Sequence, residues 1–205
     1  MTALNRRIYA PGADYPDENI ETESHNEDIR IWDDFRSGCE SSFIYIYERH
    51  ISDLYDYGCK FSADHELVKD AIQDLFIELR VNRNKLGKTG SIKFYLYKSL
   101  KRKIIRETRK WIYKMINLER SNFFDFTFSH EHHLINKQLK EEQIDHLNNA
   151  LKKLSPRQKE MVYYYFFEDL SYEQIKDLMD FSSLKATRNL LYRTIGLLKS
   201  AVQLS

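Results

Sequence analysis

Between Asp64 and Arg80 the apolar residues fall at Leu67, Val68, Ala71, Ile72, Leu75, Phe76 and Leu79. Spacings of three and four put all of them on one face of an α-helix, and such a stripe must be packed against other elements. The same period recurs along most of the chain. Ile31, Trp32 and Phe35 start a short amphipathic helix, and Phe43, Ile44, Tyr47, Ile51, Leu54 and Tyr55 continue over about 40–59. It returns through Leu139, Ile144, Leu147, Ala150 and Leu151, and again near the C-terminus. With only 6 Gly and 3 Pro in 205 residues, a loop-rich β fold or a disordered chain is excluded. The expectation is an all-α protein.

Punctuation sets the boundaries. Residues 1–27 hold Pro11, Pro16 and several acids with almost no apolar period, and read as a flexible acidic tail. Asp64 caps a helix with Glu66 in its first turn, Gly87 and Gly90 break the chain, and Ser91 opens a helix to about Lys114. Residues 116–135 lose clear periodicity and read as a linker. Ser155-Pro156 caps and starts another helix, proline being favoured in a first turn, and Ser171 caps the next. Two small helical domains are therefore expected, 28–115 and 136–205, joined by that linker.

The charges nearly cancel, 32 Lys and Arg against 31 Asp and Glu, but they are unevenly placed. Residues 1–40 carry ten acids against four bases, whereas 91–114 carry nine bases against one acid, Glu107. The second segment, SIKFYLYKSLKRKIIRETRKWIYK, interleaves aromatic rings with cations. Cations attract phosphates whatever the sequence, and rings stack on unpaired bases. The plain alternative makes the rings core residues and the bases a solvated face.

The C-terminal pair carries a second signal. A short helix after Ser171 is followed by the turn Asp180-Phe181-Ser182-Ser183 and a longer helix, LKATRNLLYRTIGLLK. Ala186, Leu190, Leu191, Ile195 and Leu198 would face inward, and Lys185, Thr187, Arg188, Asn189, Tyr192 and Arg193 outward. That is a helix-turn-helix, whose second helix reads base edges in the DNA major groove. An ordinary helical hairpin with a solvated face fits the same pattern. A third constellation is the row Asp70, Gln73, Asp74 and Ile77, which lines one side of its helix at i, i+3, i+4 and i+7. It suits docking of a basic partner, and equally a solvated face with one stray isoleucine.

Catalytic machinery is not visible. There is no Gly-rich phosphate loop, GxSxG elbow or HExxH motif. His130, His132 and His133 stand in the linker without a cysteine or carboxylate cluster to complete a metal site, so a solvated linker is favoured. Cys39 and Cys59 make no disulfide framework or CxxC motif. Neither a secretory signal nor a run of about 18–20 apolar residues is present, so the expectation is a cytoplasmic protein without membrane insertion, metal or cofactor.

Two stretches carry a resemblance to a known family. LYDYGCKFSADHELVKDAIQDLFIELR (54–80) and LKKLSPRQKEMVYYYFFEDLSYEQIKDLMDFSSLKATRNLLYRTIGLLK (151–199) are similar to the second and fourth conserved regions of bacterial RNA polymerase sigma factors of the extracytoplasmic-function class. The resemblance implies a non-enzymatic transcription initiation factor whose partners are core RNA polymerase, promoter DNA and an anti-sigma factor. It assigns Asp70, Gln73, Asp74, Leu75 and Phe76 to core-polymerase binding. Tyr95, Lys98, Lys101, Arg102, Lys103, Arg106 and Arg109 fall to opening of the −10 element, and Lys185, Thr187, Arg188, Asn189, Tyr192 and Arg193 to the −35 element. The linker corresponds to a segment threaded through the polymerase near the RNA exit path. Many members carry Asn near the position of Lys101 and Arg102, and the turn DFSSLK is one residue longer than commonly seen. A stand-alone helix-turn-helix regulator is the alternative.

Overall fold

The computed structural model describes residues 18–115, 124–126 and 141–203. The chain forms two compact units that meet in sequence between Phe123 and Phe124. Eight α-helices and a short 3-10 turn make up the regular structure among the described residues.

In the N-terminal unit, α1 spans Glu18–Arg36, α2 Glu40–Gly58, α3 His65–Asn82 and α4 Ile92–Met115. The first helix corrects an expectation, because it begins well inside the segment read as a flexible tail. After Pro16 no proline or glycine interrupts the chain until Gly38, and Glu18, Glu21 and Glu23 lie at the positive end of the helix dipole. Gly38, at φ 101°, closes α1 in a conformation that side chains oppose, with its N–H donated to the Phe35 carbonyl at 3.0 Å.

Trp32 is fully buried and ties α1 to the rest of the unit. Its ring lies 4.8 Å from Tyr95, and its indole N–H donates to the Gly87 carbonyl at 2.9 Å. One turn on, Arg36 Nε donates to the Leu86 carbonyl at 2.8 Å. Asp28 accepts from the Ile92 N–H at 2.8 Å, placing a carboxylate at the start of α4, where orphan amides and the dipole favour an anion.

Helices α2, α3 and α4 form the core. Ile46, Leu54 and Tyr57 meet Val68, Ile72, Leu75 and Leu79 from α3, and Ile92, Leu96, Leu100 and Ile104 from α4. Each fully buried Leu or Ile contributes roughly 1.5–3 kcal/mol relative to exposure. Tyr57 and Tyr97 stack at 4.1 Å with ring planes 12° apart. Asp64 caps α3 as the sequence predicts, accepting from the Glu66 and Leu67 amides, both at 3.1 Å.

The C-terminal unit contains α5 (Glu141–Lys152), α6 (Pro156–Phe166), α7 (Tyr172–Leu178) and α8 (Leu184–Gln203). Ser155 with Gln158, and Ser171 with Gln174, each form a reciprocal capping box that fixes where α6 and α7 start. Leu151, Leu154, Met161, Tyr164, Ile175, Leu178, Leu191 and Ile195 are buried together. The described part of the expected linker, 124–126, falls within this unit.

Packing is close at Gly58, the last residue of α2. A β-carbon there would stand 2.6 Å from Val68 Cγ1 and 3.2 Å from Ile104 Cδ1. Gly58→Ala is therefore expected to cost about 1–3 kcal/mol through overpacking. Urea unfolding followed by tryptophan fluorescence checks this, since Trp32 and Trp111 both lie in the N-terminal unit.

Candidate protein and nucleic-acid interfaces

The apolar stripe of α3 is buried, so its remaining faces are turned outward. Asp70, Gln73 and Asp74 are exposed, and Ile77 is 52% exposed. Leu75 and Phe76 are only 3% and 4% exposed, as their place in the apolar stripe predicts. Leu75 packs in the core and Phe76 forms the floor of a groove, so both hold the exposed row in place.

That groove, of ≈ 860 Å³, runs between α2 and α3 and is walled by Phe43, Ile44, Tyr47, Ile51 and Ile77. Ile44 (48%) and Tyr47 (43%), which share the apolar period of α2, are exposed. They show that Ile77 belongs to an apolar surface. Lys69, Gln73 and Arg80 edge it, so the groove is continuous with the acidic row. On the other side of that row, Asp70 and Asp74 share a cleft with Lys103, Arg106 and Glu107 of α4.

Helix α4 buries Ile92, Leu96, Tyr97, Leu100 and Ile104, which leaves its cations on the remaining arc. Arg102 and Arg106 are exposed, while Lys98 and Lys101 are half-buried. Lys98 Nζ stands 5.7 Å from the centre of the Phe94 ring and Lys101 Nζ 5.8 Å from that of Phe61, so both stems lean on aromatic surface. Tyr95 is half-buried under Trp32. Lys103 is a correction: its side chain is 8% exposed and its ammonium pairs with Glu78 of α3 at 2.5 Å. It joins two helices. The side chain of Arg109 lies outside the described residues, as do His130, His132 and His133. Among the described residues no group of His, Cys, Asp and Glu side chains is placed to hold a metal.

Sequence reasoning treated 81–91 only as a break, but its basic residues adjoin α4. Lys85 and Lys88 are exposed on the connection that Trp32 and Arg36 pin through the carbonyls of Gly87 and Leu86. The string RNKLGK was the available signal.

In the C-terminal unit, the α7–α8 turn is built around Asp180, whose φ of 52° is left-handed. Aspartate tolerates this region better than most side chains. The Phe181 N–H donates back to the Lys176 carbonyl at 2.9 Å, ending α7. Arg157 of α6 braces the turn, donating to the Met179 carbonyl at 3.2 Å with its guanidinium 4.5 Å from the Phe181 ring centre. Ser183 Oγ then accepts from the Ala186 N–H at 3.2 Å, so α8 begins at Leu184 and its register is set.

With that register Lys185, Arg188, Asn189, Tyr192 and Arg193 are exposed on one side of α8. Thr187 is a correction. It is fully buried, with its hydroxyl donated to the Ser183 carbonyl at 3.2 Å, and serves the start of the helix instead of its outer face. Arg188 does not project freely, because its guanidinium lies 5.1 Å over the Tyr172 ring of α7. Burial pushes the Tyr172 phenol well above its usual range, so the ring under Arg188 stays neutral. A flat cation held beside amide and hydroxyl donors is chemistry suited to base edges and phosphates.

Comparisons with known proteins agree with this geometry. Residues 150–193 match the family described as Sigma-70, region 4. Among solved structures, the chain is similar to the sigma factor RpoE of Bartonella quintana, determined in complex with the anti-sigma factor NepR. That match has a TM-score of 0.53 and 15% identity over 78% of this chain and 96% of the other. It is also similar to CnrH, determined in complex with the cytosolic domain of CnrY, with a TM-score of 0.55 and 16% identity over 87% and 98% of the two chains. No curated protein sequence gives a significant match. Residues 150–193 thus match sigma-70 region 4 on a helix-turn-helix, and the described helices share the fold of those two solved structures. No helix among the described residues is long and apolar enough to cross a membrane.

The strained turn gives a direct test. Asp180→Val should cost of order 1–3 kcal/mol, because a β-branched residue opposes the left-handed region. Asp180→Gly should stay within about 1 kcal/mol of the parent. Hydrogen exchange of the α7 and α8 amides reads both variants.

Proposed function

We propose that the chain is a transcription initiation factor that binds bacterial core RNA polymerase, directs it to specific promoters and helps open the −10 DNA. The observation that carries this reading is the sigma-70 region 4 match, which falls on a helix-turn-helix with a basic, exposed outer face. In this reading Lys185, Arg188, Asn189, Tyr192 and Arg193 contact the −35 duplex, with Arg188 set by Tyr172. Lys98, Lys101, Arg102 and Arg106 track the strand opened at −10, with Tyr95 offering a ring edge beside them. Unpairing costs a few kcal/mol per base, and a cationic track with aromatic surface offsets it.

The acidic row Asp70, Gln73 and Asp74, continued by Ile77, is the surface for core polymerase in this proposal. It offers an apolar centre with charged edges, the composition of a protein interface. An anti-sigma factor is the natural further partner, as the RpoE and CnrH structures each hold a second protein, an anti-sigma factor in the case of RpoE. No step calls for a metal, a cofactor or a covalent intermediate, and the protein would work only as a polymerase subunit in the cytoplasm.

Run-off transcription by core polymerase on genomic promoter fragments tests the reading. Specific transcripts only when the protein is added are expected. Silence together with tight duplex binding by the free protein would instead establish a stand-alone regulator. Asp70→Lys with Asp74→Lys should abolish the holoenzyme peak in gel filtration while helicity is unchanged. Lys101→Glu with Arg102→Glu should assemble normally yet lose permanganate reactivity at the start site, separating DNA opening from polymerase binding.

A further inference from the structure

The described part of the linker makes a contact that the proposed function does not use. Phe124 is 1% exposed and Phe126 7% exposed, although neither belongs to a helix or strand. The Phe124 ring lies 5.6 Å from Tyr163, and the Phe126 ring lies 5.5 Å from Tyr163 and 5.4 Å from Phe167. Between them Asp125 turns outward and its carboxylate accepts from Lys159 Nζ at 2.5 Å.

Lys159, Tyr163 and Phe167 recur every four residues, so they form one row along α6 and its C-terminal cap. Tyr163 and Phe167 stack at 5.8 Å with planes 14° apart, making a flat aromatic wall with a cation at one end. The Lys159 side chain is 14% exposed while that of Asp125 is 70% exposed, so the groove supplies the buried partner and the segment the accessible one. The sigma-70 region 4 match covers 150–193, which includes the row and leaves out 124–126. The helices of the unit also close their own core through Leu151, Met161, Ile175 and Leu191.

We propose that the row Lys159, Tyr163 and Phe167 is a docking site for an aromatic–acid–aromatic peptide, and that Phe124-Asp125-Phe126 of the same chain is its resident in the free protein. Two rings fill aromatic sockets while the carboxylate between them pairs with the lysine, so sequence order and charge are both read. This site stands independently of the transcription reading.

The test uses the full chain and a fluorescent peptide spanning residues 120–129. An intramolecular occupant acts at an effective concentration near millimolar, so the wild-type groove should be largely closed to the peptide. Phe124→Ala with Phe126→Ala should bind it about tenfold more tightly or better. Adding Lys159→Glu to that variant should return binding to the wild-type level. Equal binding to wild type and double variant, or binding to neither while circular dichroism shows both folded, overturns the proposal. Asp125→Lys serves as a second variant that leaves the buried rings untouched. It weakens the resident alone and should also admit the peptide, and no gain over wild type would count against the site.

Discussion

The N-terminal unit depends on one buried seam, the row Ile92, Leu96, Leu100 and Ile104 of α4 packed against α2 and α3. The same helix carries nine bases between residues 91 and 114, and their mutual repulsion opposes a compact unit. Burial of the seam fixes the spacing of the described cations Lys98, Lys101, Arg102 and Arg106 along the helix. Trp32 and Asp28 reinforce it from α1, by filling the space beside Tyr95 and by placing a carboxylate at the Ile92 amide. Without that anchoring the cations would be a solvated cluster with no defined spacing.

Acidic and basic features that the sequence keeps apart are neighbours in space. Glu78 takes Lys103 out of the outward set, and Asp70 and Asp74 share a cleft with Arg106. The pair is buried on the lysine side and open on the glutamate side, so it fixes helix position more than it adds stability. The acidic row therefore has two edges, an apolar groove toward α2 and a charged cleft toward α4.

Much of this was legible in the sequence where the cause is local. Asp64, Ser155 and Ser171 cap their helices as expected, because a side-chain oxygen beside free amides acts within one turn. The cationic density of α4 and the exposed face of α8 also follow from spacing along a single helix. The errors share a different cause. Thr187 and Lys103 look like surface residues by type, but each meets a partner whose position no spacing reveals. Ile44 and Tyr47 look like core residues, and stay exposed because nothing among the described residues covers that side of α2 and α3.

The sequence by itself determined the helices, most of their ends, the two-part organisation and the classes of surface the chain presents. Those follow from the 3.6-residue period, from capping chemistry and from charge count, which act over a few residues. Tertiary structure alone decided that Lys103 is buried against Glu78, that Ile44, Tyr47 and Ile77 line one exposed groove, and that Phe124 and Phe126 pack on α6. Each of these is a meeting of side chains distant in sequence. Periodicity says that a face must be buried, and only packing says against what.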